Sequence, residues 1–215
     1  MLTVVVGAGP GLGLSLARRF GAAGEVALVV RSLARAAPLV DELAGLGVEA
    51  RAYAADIGDE ASLRAALGAV RAQQGDPDVV LVNASVAPGG SPAQVTAEEL
   101  RAAFDVGVVG AVVAYQEVLP AMLARGSGTF LVTGSGVALT PWPGGTALTL
   151  AKTAVRAFAL AAAADLEGTG VHAGTVTVAG VLGAPGFEPA TVAERFWELH
   201  AQPRDSWTAE IVHRG

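Results

Sequence analysis

Four glycines are concentrated in residues 7–13, which read Gly-Ala-Gly-Pro-Gly-Leu-Gly. They follow the apolar run Leu2–Val6, which is typical of a buried strand, and they precede a stretch with helical periodicity. Glycines at a strand-to-helix turn let the backbone approach a pyrophosphate, and the helix start directs N–H groups at it. The turn therefore predicts dinucleotide binding. The expected contacts are Gly7, Gly9, Pro10, Gly11, Leu12 and Gly13.

The end of the second predicted strand indicates which dinucleotide to expect. It reads Val29-Val30-Arg31-Ser32 and contains no acidic residue. A carboxylate there would accept hydrogen bonds from the adenosine ribose hydroxyls, whereas an arginine suits a 2′-phosphate. We therefore expect NADP(H) to be preferred over NAD(H), with Arg31 at the phosphate.

Two residue types that are common in chemistry occur once each. The chain has one lysine, Lys152, and one asparagine, Asn83. Retention of single copies marks both positions as candidates for a site, although chance retention explains a single copy equally well.

Apolar strand-like runs alternate with helix-period stretches along the chain, which predicts a parallel sheet with crossover helices. Strands are expected near residues 2–6, 25–30, 48–54, 78–82, 128–133 and 171–178, with a weak last one at Trp207–His213. Helices are expected at about 12–23, 35–45, 60–74, 96–123, 147–166 and 190–201. The predicted fold is α/β, a Rossmann-type doubly wound sheet with helices on both faces, forming a single domain over residues 1–215.

The fourth predicted helix has recognisable internal signals. Thr96 and Glu99 form a capping-box pattern at its start. We expect a bend at Gly107 or Gly110 and an end near Pro120, because proline lacks the N–H group that continues a helix.

Composition excludes several classes of function. Apolar residues make up 52% of the 215-residue chain and charged residues 16%, which is typical of a globular protein. The net charge of −6 comes without a basic cluster, so no nucleic-acid partner is expected. There is no cysteine, and the three histidines lack ligand spacing, so no metal site is expected. No apolar run looks long enough for a membrane, and the expected location is cytoplasmic.

Up to about residue 182 the sequence resembles the short-chain dehydrogenase/reductase family. The spacing Gly-x-x-x-Gly-x-Gly is that family's form of the turn, and Ala55-Asp56-Ile57 resembles its adenine-contacting segment. Asn83-Ala84-Ser85 resembles its Asn-Ala-Gly motif, and Ser135 and Lys152 fall at its catalytic serine and lysine. The resemblance implies cofactor contacts from Asp56, Ile57, Asn83, Ala84 and Lys152 and catalytic roles for Ser135 and Lys152.

The sequence departs from that family at the proton donor. The family's tyrosine, four residues before the lysine, is Leu148 here, and its helical asparagine is Gly107. General acid catalysis typically contributes about 10²–10⁴ in rate, so a leucine there predicts crippled carbonyl reduction with binding retained. Tyr53 and Tyr115 are interpreted as packing residues, and His200 is a weak candidate for a substitute acid.

Aromatic residues after the fifth strand suggest the substrate class. The resemblance implies a substrate region at about 183–215, and the aromatic side chains in and before it predict a lipophilic molecule. A small hydrophobic cluster under a short tail is the alternative. The residues concerned are Trp142, Phe187, Phe196, Trp197 and Trp207.

Three functional hypotheses stay open. The first is an atypical NADP(H)-dependent oxidoreductase that acts on a small molecule. The second is a redox-neutral enzyme of the same fold, such as a cyclase, isomerase or dehydratase, and the third is a non-catalytic NADP-binding protein. The resemblance also implies a homodimer or homotetramer, for which small residues on the fourth and fifth helices would allow close approach. Those residues are Ala111, Ala114, Ala157 and Ala161.

Overall fold

Seven parallel strands form one sheet in the computed structural model, which describes residues 1–215. The strands are β1 (Leu2–Val6), β2 (Glu25–Val30), β3 (Ala50–Ala54), β4 (Val79–Val82), β5 (Gly128–Ser135), β6 (Val171–Val178) and β7 (Glu210–His213). Their spatial order is β3-β2-β1-β4-β5-β6-β7. The order reverses between β1 and β4, and in open α/β sheets a ligand binds outside the carboxyl ends of the strands at that point.

Helices cover both faces of the sheet. They are α1 (Leu12–Gly21), α2 (Leu33–Gly45), α3 (Glu60–Gln74), α4 (Ala97–Phe104), α5 (Gly110–Arg125), α6 (Thr146–Asp165) and α7 (Pro189–His200). Buried residues of α3, α5 and α6 belong to one hydrophobic cluster, and those of α1, α2 and α7 belong to a second. The doubly wound architecture predicted from the sequence is confirmed.

Strands β1, β2 and β4 are largely apolar because both of their faces are covered. Val4 and Val6 belong to the first hydrophobic cluster, whereas Val5 between them belongs to the second. Successive strand side chains point to opposite faces, so a run of valines buries itself completely only between two helical layers. All five residues of β1 are buried.

The long fourth helix of the prediction is divided in two. Its capping box at Thr96 and Glu99 is present, and a π-helical turn at Asp105–Val109, which contains Gly107, separates α4 from α5. The predicted end near Pro120 is wrong, since α5 continues to Arg125. Pro120 lies on the exposed side of the helix, where water can satisfy the carbonyl group that its missing N–H leaves free. Gly126, with a φ of 65°, ends the helix instead.

The expectation that no segment reaches membrane-spanning length is wrong. Two helical segments, Ala97–Arg125 and Thr146–Asp165, have the length and the hydropathy of membrane spans. Both contribute buried residues to the cluster on one face of the sheet, among them Val118 and Val155. Core helices that cover a sheet reach the same length and hydropathy as membrane spans.

Candidate active site and dinucleotide cleft

The glycine turn lies at the carboxyl end of β1, next to the strand that follows the switch point. Gly7 has a φ of 80°, and a Cβ atom on it would lie 2.8 Å from the Cβ of Ala84. A Cβ atom on Gly13 would lie 2.8 Å from the Cα of Ala8. Both contacts are too short for real atoms. Gly7 and Gly13 therefore allow the turn to close on itself and against the loop that follows β4.

The other two glycines of the turn leave space. A Cβ atom on Gly9 or on Gly11 would meet no protein atom within 4 Å. Gly11 precedes α1 and supplies no side-chain cap, and the first turn of that helix contains no acidic residue. The first N–H groups of a helix have no partner within the helix and favour an anion. The chain therefore offers an uncapped helix start beside open space, which is what a pyrophosphate requires.

Two neighbouring cavities extend from this turn along the carboxyl edge of the sheet. A cavity of about 320 Å³ contains most of the turn and the candidate catalytic residues. A second, of about 190 Å³, lies toward β2 and β3. Both are lined by Gly7, Asn83 and Ser85, so they form one continuous cleft. The dimensions and chemistry of this cleft fit a dinucleotide.

The cleft brings together almost all of the site residues predicted from the sequence. The first cavity is lined by Gly7, Gly9, Gly11, Leu12, Gly13, Asn83, Ser135 and Lys152. The second is lined by Gly7, Arg31, Asp56, Ile57, Asn83 and Ala84. Of the predicted contacts only Pro10 lines neither cavity, and it is exposed at the tip of the turn.

Polar side chains join the ends of three strands beneath the cleft. Asn83 follows β4, and its carboxamide oxygen accepts a hydrogen bond of 2.9 Å from the hydroxyl of Thr133 on β5. Its amide nitrogen lies 3.5 Å from the carbonyl oxygen of Gly7, and the Asn83 backbone N–H donates to Val6. The single asparagine of the chain therefore fixes the glycine turn relative to β5. Thr133 was not singled out in the sequence.

Lys152 is a buried cation at the floor of the first cavity. Its Nζ donates a hydrogen bond of 2.7 Å to the carbonyl oxygen of Thr133, and the side chain is 7% exposed. Burial lowers the pKa of Lys152 from its ordinary 10.5 to about 8. Lys152 is the one titratable side chain among the sixteen residues that line this cavity.

Ser135 and Leu148 line the same cavity as Lys152. The Ser135 hydroxyl oxygen is 3.5 Å from the backbone N of Val137, a long contact that leaves the hydroxyl available. Leu148 precedes Lys152 by one turn of α6 and contributes only carbon atoms. Thr149, the residue after Leu148, does not line the cavity, and its hydroxyl is held at the backbone of Trp142.

The aromatic wall expected around the substrate does not line this cleft, since none of the five aromatic residues lines either cavity; Phe187 packs against Gly180, which does. Phe196 is buried in the core, and Trp197 packs edge-on against Phe20 at the far end of α1. Trp207 stacks on His172 at the start of β6. Position after the fifth strand does not determine which end of the sheet a residue reaches.

The other candidate acids also lie elsewhere. The Nδ1 atom of His200 is 2.9 Å from the hydroxyl of Thr129, which is at the amino end of β5, opposite Ser135. His200 as a substitute acid is therefore wrong. The Tyr53 hydroxyl bonds to Gln74, and Tyr115 packs among aromatic rings, so both are packing residues as expected.

Gly107, at the position where the resemblance places an asparagine, is buried within the π-helical turn. A Cβ atom there would lie 3.6 Å from the Cβ of Ala151, which is an ordinary contact. The backbone therefore has no steric need for glycine at this position, and the residue contributes no polar group to the cleft.

The fold and the cleft define the class of an α/β dinucleotide-binding protein, and comparison with known proteins specifies the family. Residues 2–189 match the family described as short chain dehydrogenase. A short chain dehydrogenase of Pseudocercospora fijiensis is 31% identical, and the alignment covers 97% of this chain and 71% of that protein. An NADP-dependent 3-hydroxy acid dehydrogenase of Salmonella typhi is 32% identical over 80% of this chain and 69% of its own length.

A solved structure supports the same assignment. The crystal structure of a metagenomic short-chain oxidoreductase in complex with NADP superposes with a TM-score of 0.91 at 27% identity, covering 99% of this chain and 96% of the other. The chain belongs to the short-chain dehydrogenase family.

Proposed function

We propose that this chain is an atypical NADP(H)-dependent oxidoreductase of small molecules that works without a tyrosine acid. The observation that carries the proposal is the cleft itself, in which an uncapped helix start, Ser135 and the buried Lys152 line one cavity. The Salmonella relative is described as NADP-dependent, and the metagenomic structure holds NADP.

Binding of the dinucleotide is assigned to both halves of the cleft. The N–H groups around Gly11 to Gly13 would hold the pyrophosphate, and Lys152 would face the ribose beyond it. Asp56 and Ile57 would border the adenine. Arg31 lines the second cavity and has no ion pair or hydrogen bond from its side chain to the protein, which leaves its guanidinium for a 2′-phosphate.

When bound, the dinucleotide supplies a hydride to the substrate or accepts one from it. In the reducing direction the substrate also needs one proton, which this chain has to hold nearby. Ser135 can donate a hydrogen bond to the substrate oxygen, and Leu148 has no proton to give. We assign Lys152 as the proton donor, directly or through water. Its pKa of about 8 makes its ammonium group a usable acid near neutral pH.

The leucine also favours a second candidate function. A protein selected for redox-neutral conversion, or for binding alone, has no need of a phenol at position 148. Under this alternative the cleft holds the dinucleotide as a structural group, and Ser135 and Lys152 orient the substrate or only stabilise the complex.

The two functions are separated by following NADPH during the reaction. Stopped-flow absorbance with panels of carbonyl, imine and enone compounds is expected to show NADPH oxidation in at least one panel. Absence of oxidation throughout would contradict the oxidoreductase. Conversion of a compound by cofactor-stripped protein would instead support redox-neutral catalysis.

The remaining assignments concern the substrate and the assembly. We propose a small substrate whose apolar part rests on Leu148, Val178 and Leu182, the large apolar side chains of the cavity on this side. In this proposal, the substrate region at about 183–215 borders the bound substrate near Ser135. We also propose a cytoplasmic homodimer or homotetramer, in line with the family.

A further inference from the structure

A third cavity, of about 290 Å³, adjoins the first on the far side of Ser135. The two have Ser135, Val178 and Gly180 in common, so they meet at the carboxyl ends of β5 and β6. Under the proposed function this junction is where the substrate's reacting atom would lie. The third cavity is therefore the space into which the rest of the substrate would extend.

One charged residue, Arg214, lines this third cavity. No carboxylate lines it, and the Arg214 side chain takes part in no hydrogen bond or ion pair with the protein. Nine of the thirteen arginines are engaged in such contacts with carboxylates, hydroxyls or carbonyls; the others are Arg31, Arg35, Arg101 and Arg214. A guanidinium group without a partner, beside a cavity without acidic groups, is available to bind an anion.

The backbone that carries Arg214 is held in place. His213, directly before it, pairs with Val178 in the sheet, and its carbonyl oxygen accepts a hydrogen bond of 2.8 Å from the N–H of Ala179. The His213 imidazole Nε2 lies 2.7 Å from the carbonyl oxygen of Gly186, and the residue is buried. Arg214 therefore leaves the edge of the sheet from a fixed point next to the loop that follows β6.

We infer that Arg214 is a specificity-determining residue that binds a carboxylate on the substrate, so that the protein selects oxo or hydroxy acids over neutral carbonyl compounds and alcohols. This inference rests on the proposed function. The planar guanidinium can hold a carboxylate through two parallel hydrogen bonds. The carboxylate would lie in the third cavity while the carbonyl or hydroxyl carbon lies at Ser135, in the first.

The test compares acids with their neutral esters. Short oxo acids from pyruvate to levulinate and their methyl esters are titrated calorimetrically into protein saturated with NADP⁺. At least one acid is expected to bind about tenfold or more tightly than its ester, as a charge-assisted pair of hydrogen bonds predicts. Arg214→Gln is expected to abolish this preference without changing ester binding, and Arg214→Lys to retain part of it.

Arg101→Gln is the matched control, because Arg101 is also unpaired and exposed but lies on α4 and lines none of the three cavities. If no acid binds more tightly than its ester, or if the preference survives in Arg214→Gln, the inference is wrong. NADPH binding, measured separately by fluorescence, reports on the proposed function. If NADPH does not bind, the proposed function is wrong. An acid preference in the dinucleotide-free protein would still support the role of Arg214 in binding a carboxylate.

Discussion

At the scale of single residues, two features characterise the cleft: the buried ammonium group of Lys152 and the absence of an acidic hydroxyl at position 148. Lys152 keeps a buried ammonium group at the backbone of Thr133, and its pKa has fallen to about 8. Leu148 supplies a carbon surface one helical turn away. Under the proposed function, the two residues together leave one cation to bind the dinucleotide and to supply the proton.

Restoring the phenol tests that account of position 148. Leu148→Tyr is expected to raise NADPH-dependent carbonyl reduction, by up to the factor of about 10²–10⁴ that general acid catalysis contributes. Leu148→Phe is the matched control, because it has the same ring without the proton. Initial rates with one carbonyl substrate measure both. Equal rates for the two variants would show that a missing acid is not what limits turnover.

The buried lysine predicts a specific pH dependence of stability. Its pKa is lower in the folded protein than in the unfolded chain, so the unfolded chain binds more protons between about pH 8 and the ordinary value of 10.5. The free energy of unfolding should therefore rise with pH in that window, by up to about 3 kcal/mol from this group. Below about pH 8 the whole penalty of burying the charge remains.

Lys152→Met removes this titration. Urea denaturation at a series of pH values is expected to show the free energy of unfolding of the native protein rising relative to that of the variant across the window. The lost hydrogen bond to Thr133 adds an offset that does not vary with pH. Parallel curves for the two proteins would mean that Lys152 does not titrate in this range.

At the scale of elements, the strand-turn-helix unit around β1 and α1 was predictable because it depends on local sequence. The spacing of Gly7, Gly11 and Gly13 specifies a turn whichever contacts form later. The contacts that fix the turn were not predictable, since Thr133 bonds Asn83 from a strand fifty residues away. Arg214 was missed for the same reason, because only the parallel pairing of β6 with β7 brings it to the cavity that Ser135 also lines.

Trp197 and Trp207 failed as predictors of the site at this same scale. Helices that cross over a parallel sheet run against the strands, so the end of α7 returns to the amino edge. Trp197 and His200 lie near that end, which explains why they reach Phe20 and Thr129 rather than the cleft. A sequence shows that a residue follows a strand, but the direction of the element decides which edge it meets.

The steric role of the turn predicts a contrast between two glycines. Gly13→Ala is expected to lower the free energy of unfolding by about 1–3 kcal/mol, because the new methyl group overlaps the backbone at Ala8. Gly9→Ala should change it by no more than about 0.5 kcal/mol, since nothing lies near. Chemical denaturation of both variants checks this. Similar losses in both would contradict the geometry of the turn.

At the scale of the whole molecule, the outward surface of α6 is apolar. Leu150 is 44% exposed, and Ala157 and Ala161 follow it on the exposed side of the helix. Ala111 and Ala114, expected on the same kind of surface, are fully buried in the core, so that part of the expectation is wrong. The apolar character that gives α6 the hydropathy of a membrane span is thus partly on its solvent side.

This surface predicts where the protein assembles. Leu150→Arg is expected to convert the proposed homo-oligomer to a monomer with unchanged circular dichroism, because a charged side chain would be buried without a partner. Leu46→Arg is the control, since Leu46 is 60% exposed but lies beyond the end of α2. Light scattering gives the mass of each. A monomeric native protein at micromolar concentration would contradict the assembly.

Above all, we propose that the cleft at the switch point binds a dinucleotide and prefers the one with a 2′-phosphate. Fluorescence titration with NADPH and NADH tests it directly. We expect saturable binding of both dinucleotides, tighter for NADPH. Arg31→Ala should remove the preference, and Arg101→Ala should leave it intact. A protein that binds neither dinucleotide at millimolar concentration would contradict this proposal, even with its fold unchanged.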